Sequence, residues 1–264
     1  MRLLSVVANS AASLALLLSA TAAQAAVKTR PLEYKLGTTV MQGTLAWDDA
    51  VKGKRPAVLV IHDWMGPGAF SRGRAEELAK LGYVALAADV YGTETRPKDA
   101  KEAGAAATLL KTQRPLLRQR AKASLDALLA QPEADAAHVA AIGYCFGGTA
   151  ALELARSGAA VHATVSLHGG LDSPTPADGK NIKGKVLALH GADDPFVPAD
   201  QVAAFQKELR DANVDWQLVA YGGAVHAFTL PGAGHDNSKG SAYNAKADKR
   251  SWQALRSFLE EALK

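Results

Sequence analysis

The stretch VAAIGYCFGG, residues 139–148, decides the fold class because it reads as a buried strand that runs through a tight turn into a helix. The apolar run from Val139 to Gly143 is typical of a strand covered on both faces. Gly143 and Gly147 flank Cys145 at two residues on either side, the spacing of a sharp turn that presents a nucleophile between strand and helix. The stretch therefore predicts a strained turn with Cys145 at its tip.

The rest of the chain repeats this alternation of short aliphatic runs with longer segments of helical periodicity. Such a pattern predicts an α/β fold with a mostly parallel central sheet and helices on both faces. An antiparallel strand comes first, and the strands are expected at Thr39–Trp47, Pro56–His62, Tyr83–Ala88, Val139–Gly143, Val161–Leu167, Lys185–His190 and Asp215–Tyr221. Helices are expected around Leu78, at Pro97–Lys111, from Pro115, at Gly148–Ser157, at Asp200–Arg210 and around Leu255. No linker divides the chain, so residues 26–264 are predicted to form a single domain.

The composition of the chain argues against a nucleic-acid-binding function. The 264 residues carry a formal net charge of +4, but Lys and Arg are interleaved with Asp and Glu. Because no basic stripe with interleaved aromatic residues occurs, we predict no nucleic-acid partner.

Cys145 is the one cysteine of the sequence, so no internal disulfide can form. A lone cysteine is either a buried, inert side chain or a reactive one, and its place in the turn favours the second.

Residues 1–25 have the pattern of a secretory signal peptide. Arg2 is their only charge, Leu14–Leu18 form an apolar core, and Ala23-Gln24-Ala25 is a small-x-small cleavage site. The alternative is a membrane anchor, but polar residues such as Asn9 and Ser13 shorten the apolar stretch below the ~18 residues that a spanning helix needs. We therefore expect an exported protein, periplasmic or secreted, that is monomeric and has no stable membrane association after cleavage.

An acidic residue and a histidine follow two later strands in the order that a nucleophile of this kind requires. Asp194 follows the strand that ends at His190, and His226 follows the strand that ends at Tyr221. Enzymes with such a turn place the acid and then the histidine after later strands. The order predicts Cys145 as nucleophile, His226 as base and Asp194 as the acid that orients it. Asp193 remains open as an alternative to Asp194.

Two backbone N–H groups are candidates for the oxyanion hole. The N–H of Phe146 follows the nucleophile, and the second donor is expected from the loop after the first buried strand, where we nominate Trp64. The other histidines lie at strand ends or in loops, and structural hydrogen bonding is expected of them, although His235 could line the pocket. No H-x-x-x-H or H-x-E spacing occurs, so we predict no metal site and no organic cofactor.

Six motifs in one order resemble the dienelactone hydrolase family across essentially the whole sequence after residue 25. They are VLVIHDWMG, LAADVYG, AAIGYCFGG, HGADDPFVP, GAVHAFTLPG and AYNAKADKRSWQ. The resemblance implies the α/β-hydrolase fold and a Cys-Asp-His triad at Cys145, Asp194 and His226. It also implies that Asp63 occupies the position of an acidic residue that helps to position the thiol.

The sequence departs from this family at the two arginines that bind the substrate carboxylate. Thr93 and Leu230 stand at those positions, and Arg96 is close enough in sequence to replace one of them. The function expected is cleavage of a small-molecule ester or lactone through a thioester acyl-enzyme. The first alternative is an esterase or thioesterase for a neutral substrate, which the loss of both arginines favours. The second is a non-catalytic binding protein on the same fold.

Overall fold

The computed structural model describes residues 27–263, so the predicted signal peptide lies outside the described part of the chain. In chain order, the strands are β1 (Val27–Leu36), β2 (Thr39–Asp48), β3 (Arg55–Ile61), β4 (Val84–Ala88), β5 (Ala134–Tyr144), β6 (Ala163–Leu167), β7 (Lys185–Gly191) and β8 (Trp216–Tyr221). The α-helices are α1 (Ala69–Lys80), α2 (Ala100–Thr112), α3 (Arg114–Leu129), α4 (Phe146–Arg156), α5 (Ala199–Asp211) and α6 (Ala245–Ala262).

The strands form one eight-stranded sheet in the order β1-β2-β4-β3-β5-β6-β7-β8. β1 pairs antiparallel with β2, and β2 pairs antiparallel with β4. All other neighbours are parallel. The prediction of a mostly parallel sheet preceded by an antiparallel strand is therefore confirmed. Because parallel strands share a direction, the loops after β3, β5, β7 and β8 all lie at the same edge of the sheet.

Both faces of the sheet are covered, which explains the continuous apolar runs of the central strands. Leu59 and Ile61 of β3 pack on one side with α3 and α4, whereas Val58 and Val60 pack on the other with α1 and α6. A smaller apolar cluster joins α5 to β7. Within residues 27–263, no helix combines the length and apolarity needed to cross a membrane.

β1 was not predicted, although its sequence carries a signal. Leu32, Tyr34 and Leu36 alternate with polar residues, and Tyr34 is buried, whereas Pro31 argues against a central strand. β1 is an edge strand that pairs only with β2, so the missing N–H of Pro31 removes no bond to a second neighbour. The proline thus marks an edge strand rather than the absence of a strand.

Two helix starts differ from the predicted positions, and a capping side chain explains the first of them. α2 begins at Ala100, not at Pro97, because the Asp99 side chain caps it by accepting a hydrogen bond from the Glu102 N–H at 2.8 Å. α4 begins at Phe146, two residues earlier than predicted, directly after Cys145. The nucleophile candidate is therefore itself the residue that precedes the first helical turn.

Candidate active site

The turn between β5 and α4 holds Cys145 in a conformation that few side chains adopt. Its φ of 55° and ψ of −119° lie in the left-handed half of the backbone map. A Cβ on Gly143 would lie 1.9 Å from the Gly147 carbonyl oxygen, and one on Gly147 would lie 2.3 Å from the Ile61 carbonyl oxygen. Both flanking glycines are therefore required by close backbone approach, since the helix packs directly on the ends of two strands.

Three side chains that are far apart in the sequence form a continuous chain of polar contacts at this edge of the sheet. His226 Nε2 lies 3.1 Å from Cys145 Sγ, and His226 Nδ1 lies 2.8 Å from Asp194 Oδ2. The backbone of His226 is held on both sides, since its N–H donates to Gly240 and its carbonyl accepts from Ala242. The structure thus brings together the three residues that the sequence singled out for catalysis.

The structure distinguishes between the two adjacent aspartates that the sequence left as alternatives. The Asp194 side chain is fully buried, and its Oδ1 accepts a hydrogen bond from the Phe196 N–H at 2.8 Å while Oδ2 faces His226. Asp193 is exposed, and its carboxylate accepts from the Gly223 N–H at 3.0 Å. Asp194 is therefore placed to orient the imidazole, and Asp193 stabilises the loop after β8.

The contacts of His226 set its charge. Burial lowers the pKa of the imidazole, but the hydrogen bonds with Asp194 and Cys145 outweigh that effect and raise the pKa to about 10. At neutral pH the ring is therefore protonated, with one N–H donated to Asp194 and the other to the Cys145 sulfur. The protonated ring therefore places a positive charge directly beside the Cys145 sulfur.

The two backbone N–H groups nominated as oxyanion donors border the same cavity as the thiol. Phe146 and Trp64 both line it, and neither N–H donates to a protein acceptor among the hydrogen bonds of residues 27–263. The Trp64 carbonyl accepts from the Tyr91 hydroxyl at 2.9 Å, which fixes the loop after β3. The Phe146 N–H also begins α4, where the helix dipole is positive. Both groups are available to bind a negative oxygen.

The cavity has a volume of about 270 Å³ and opens beside Cys145 and His226. Its wall is mostly apolar, with one amine, and it is formed by Trp64, Ala107, Lys111, Cys145, Phe146, Thr149, Gly170, Phe196, Val197 and His226. Sequence analysis missed the contribution of α2, which supplies Ala107 and Lys111. These two residues carry no local signal, because only the packing of α2 over the strand ends brings them to the site.

Asp63 and Leu230 line a neighbouring apolar cavity of about 420 Å³, which shares Trp64 with the first. Asp63 Oδ1 accepts from the Met65 N–H at 2.8 Å, and burial raises the pKa of this carboxyl. The structure gives Asp63 no hydrogen bond to the sulfur, so the thiol-positioning role that the resemblance implied has no direct contact behind it. Leu230 adds apolar surface to this second cavity.

Thr93 and Arg96, the residues expected near the substrate, hydrogen-bond to other parts of the protein. The Arg96 guanidinium donates to Asp89 Oδ2 at 2.9 Å and to the Gln42 carbonyl, and Thr93 Oγ1 donates to the Val40 carbonyl at 3.3 Å. Neither residue lines the cavity beside Cys145. The reason is that the fully buried side chain of Asp89 needs a partner, and Arg96 provides it.

The nearby histidines are held by structural contacts. His168 Nε2 lies 2.7 Å from Thr229 Oγ1, its ring meets the His226 ring edge-on at 5.4 Å, and burial lowers its pKa well below the ordinary value. His62 lies 2.6 Å from the Asp63 carbonyl oxygen through Nδ1. His235 packs against Tyr243 and does not line the cavity beside Cys145.

The histidines also form no metal site. Across residues 27–263, no three His, Cys, Asp or Glu side chains group in a way that could hold a metal ion.

Comparisons with known proteins agree on one family. The sequence profile described as dienelactone hydrolase family matches residues 41–263. The solved structure m3DLH is 43% identical, covers 90% of this chain and 99% of its own, and superposes with a TM-score of 0.86. The dienelactone hydrolase-like promiscuous phosphotriesterase P91, from metagenomic libraries, is 41% identical, with 90% and 100% coverage and a TM-score of 0.86.

A relative from Synechocystis sp., assigned as a carboxymethylenebutenolidase, is 29% identical over 238 residues, which is 84% of this chain and 92% of its own length. The profile match at residues 41–263 includes the turn at Cys145 and the loops after β7 and β8, so it covers the whole candidate site. The chain has the α/β-hydrolase fold and belongs to the dienelactone hydrolase family.

Proposed function

We propose that this protein hydrolyses a small carboxylic ester or lactone, with Cys145 as nucleophile, His226 as acid and base, and Asp194 as the orienting carboxylate. The observation that carries the proposal is the unbroken contact from Asp194 through His226 to the sulfur, at 2.8 Å and 3.1 Å, on the wall of an open cavity. Membership of a hydrolase family and the carboxymethylenebutenolidase relative support the reaction class.

In the first half of the reaction, the Cys145 thiolate attacks the substrate carbonyl carbon and a C–S bond forms. The carbonyl oxygen becomes an oxyanion, which the N–H groups of Phe146 and Trp64 stabilise. When the tetrahedral intermediate collapses, the C–O bond breaks and His226 Nε2 gives its proton to the leaving alkoxide. The product is a thioester, and for a lactone the released hydroxyl stays tethered to the acyl group.

In the second half, the now neutral His226 removes a proton from water, and the resulting hydroxide attacks the thioester carbon. The second intermediate expels the Cys145 thiolate, and the imidazolium–thiolate pair is restored. Asp194 accepts the Nδ1–H throughout, which fixes the tautomer so that Nε2 faces the reacting atoms. These residues supply every proton transfer that the two steps need.

The size of the cavity sets the scale of the substrate. About 270 Å³ lies below the usual range for a drug-sized ligand, so the part of the substrate that enters beside the thiol is small. The second cavity behind Trp64 offers room for an apolar leaving group or acyl chain.

The proposal is tested with a panel of lactones and p-nitrophenyl esters assayed against the wild type, Cys145→Ala and Cys145→Ser. We expect loss of turnover in Cys145→Ala and a transient thioester adduct, visible by mass spectrometry, in the wild type. Turnover should fall in proportion to the fraction of Cys145 that is alkylated, and it should be lost when one equivalent of reagent has modified every Cys145. Hydrolysis that persists in the alanine variant would overturn the nucleophile assignment, and no hydrolysis of any substrate would favour the binding-protein alternative.

We also propose that the protein is exported after removal of residues 1–25, because Arg2, the Leu14–Leu18 core and Ala23-Gln24-Ala25 have the order of a signal peptide. We further propose that the mature protein is a monomer. Expression of the full chain in a bacterial host should deliver mature protein that begins at Ala26 to the periplasm or medium. Size-exclusion chromatography with light scattering reports its oligomeric state. Recovery of uncleaved chain in the membrane fraction would instead support an anchor.

A further inference from the structure

His168 directly follows β6, and its ring packs against the ring of His226. The two ring centroids lie 5.4 Å apart with the planes at 70°, an edge-to-face arrangement that aromatic rings prefer. His168 Nε2 lies 2.7 Å from Thr229 Oγ1, and Phe228 meets the same ring edge-on at 5.1 Å. One ring therefore contacts His226 together with the two residues that stand two and three positions after it. No step of the proposed reaction uses this ring.

The backbone of the same short segment connects two further strand ends. The Cys145 N–H donates to the Leu167 carbonyl at 2.9 Å, and the His168 N–H donates to the Leu189 carbonyl of β7 at 2.8 Å. β7 leads into the loop that carries Asp194. Residues 167 and 168 thus contact the supports of the thiol, the imidazole and the carboxylate.

The backbone of His168 is also strained. Its φ of 40° lies in the left-handed region, which among the non-glycine residues of 27–263 is shared only by Cys145, Asn213 and Ala227. This conformation is unfavourable for a residue with a Cβ, and it persists only where surrounding contacts enforce it. Cys145 and Ala227 belong to the site as well, since Ala227 directly follows His226 in the chain. Strain that is concentrated where the reacting side chains meet indicates a constraint on their positions.

The His168 ring is neutral, so it can lie beside a protonated imidazole. The residue is buried, and burial together with the nearby charge of His226 lowers its pKa well below the ordinary value. The other titratable side chain packed against it is Tyr144, at 6.1 Å between ring centroids, and Arg74 lies over the Tyr144 ring at 5.8 Å. Both neighbouring charges, on His226 and Arg74, are positive and oppose protonation of His168. The ring therefore does not compete for the proton of His226 at neutral pH.

We propose that His168 is a positioning residue for the reaction, and that its ring fixes the plane of the His226 imidazole so that Nε2 stays directed at the Cys145 sulfur. This inference rests on the proposed role of His226 in hydrolysis and adds the residue that holds the ring. Phe196 also meets the His226 ring edge-on, at 5.4 Å, but its side chain is 58% exposed. His168 provides the buried, hydrogen-bonded contact on that ring.

Substitutions at two positions separate the ring from its hydrogen bond. His168→Asn removes the ring but keeps a polar side chain of a type that tolerates the left-handed backbone. His168→Phe keeps a ring and loses the nitrogen that faces Thr229, and Thr229→Val removes the same hydrogen bond from the other side. His162→Asn is the matched control, because this exposed histidine directly precedes β6, at the opposite end of the strand from His168.

Turnover of p-nitrophenyl acetate measures the effect on the chemical steps. His168→Asn should lower kcat about 10- to 100-fold with little change in KM, because a misplaced imidazole affects proton transfer and not binding. His168→Phe should keep most of the wild-type kcat. Thr229→Val and His168→Phe should each cause a small loss that does not add up in the double variant, because both remove one hydrogen bond. His162→Asn should match the wild type, and an unchanged kcat in His168→Asn would overturn the proposal.

Alkylation of Cys145 by iodoacetamide separates positioning from a general loss of structure, and it does not depend on ester turnover. An adjacent imidazolium promotes the reaction of a cysteine sulfur, so His168→Asn should slow alkylation at pH 7.5. The same substitution should have no effect in a His226→Gln background, because His168 acts through the imidazole. Thermal midpoints of all variants ensure that each assay is run on folded protein.

The outcomes distinguish this inference from the proposed function. An equal effect of His168→Asn on alkylation with and without His226 would overturn the positioning role, because the substitution would then act on the turn at Cys145 itself. If the wild type cleaves no ester, the hydrolytic function fails. The alkylation comparison would in that case still decide whether His168 holds the ring of His226.

Discussion

Replacing Asp194 with Asn tests whether the buried carboxylate sets the charge of the catalytic imidazole. Asparagine has nearly the same shape and can still accept the hydrogen bond from the Phe196 N–H, but it carries no charge. The substitution therefore mainly destabilises the protonated form of His226. Asp193→Asn is the control, because that neighbour is exposed and bonded to the loop after β8.

The magnitude follows from the pKa of His226. A rise from the ordinary value of 6.5 to about 10 corresponds to about 5 kcal/mol in favour of the protonated ring. Asp194 and Cys145 both contribute, so loss of the carboxylate charge should lower the pKa of His226 by about 2 pH units. With that change the ring stays mostly protonated at pH 7 and loses its proton only at higher pH, so the fall in activity at neutral pH comes mainly from the lost orientation of the ring and from the wrong tautomer, which becomes accessible once the ring is neutral.

The assay follows the ring and the sulfur separately. NMR titration of the His226 Cε1–H signal gives its pKa, and the pH dependence of alkylation by iodoacetamide reports the thiolate. We expect both profiles to move in Asp194→Asn and kcat/KM to fall by about 10² to 10⁴. Unchanged profiles in Asp194→Asn, or equal changes in Asp193→Asn, would refute the assignment of Asp194 as the residue that controls the imidazole.

Three further predictions concern stability. Because the folded-state pKa of His226 is raised, the stabilisation from its protonation is fully present below pH 6.5 and is lost as pH rises through about 10. The unfolding free energy of the wild type, measured in urea, should therefore decline over this pH window, and His226→Gln should lack that decline. Gly147→Ala should cost about 2 to 4 kcal/mol of unfolding free energy, because its Cβ would meet the Ile61 carbonyl at 2.3 Å. Arg96→Met should lower the unfolding free energy by about 3 kcal/mol by leaving Asp89 buried without its ion-pair partner, with no change in kcat/KM for p-nitrophenyl esters; a changed kcat/KM would place Arg96 at the substrate site.

The sequence identifies the three side chains that meet at the candidate site because their signals are local. The glycines at 143 and 147 reveal the tight turn, since backbone contacts closer than 2.5 Å leave no room for a Cβ at either position. The acid and the histidine follow strand ends, and parallel strands bring those ends to one edge of the sheet. The sequence favoured Asp194 but left Asp193 open as an alternative, because the choice depends on which of the two adjacent side chains faces His226.

The residues that surround the substrate could not be predicted in the same way. Arg96 was expected near the substrate because it lies close to Thr93 in the sequence, but its guanidinium pairs with buried Asp89 at the β2–β4 side of the sheet. Lys111 lies in a segment predicted as a helix, yet nothing local indicates which face of that helix meets the cavity. The positions of Arg96 and Lys111 depend on how a loop and a helix pack on the sheet. That packing is determined by residues throughout the core and not by the local sequence.

Different elements of the fold position the reacting groups and form the rest of the cavity wall. The thiol, the imidazole and the carboxylate are fixed by strand ends and by close backbone contacts, so small changes in the covering segments leave their distances intact. α2, by contrast, touches the site only through Ala107 and Lys111 on one face. A substitution in α2 can therefore change the wall of the cavity without moving the sulfur relative to His226. The chemistry of the site and its choice of substrate are thus carried by different elements of the fold, and the two can be separated by substitution.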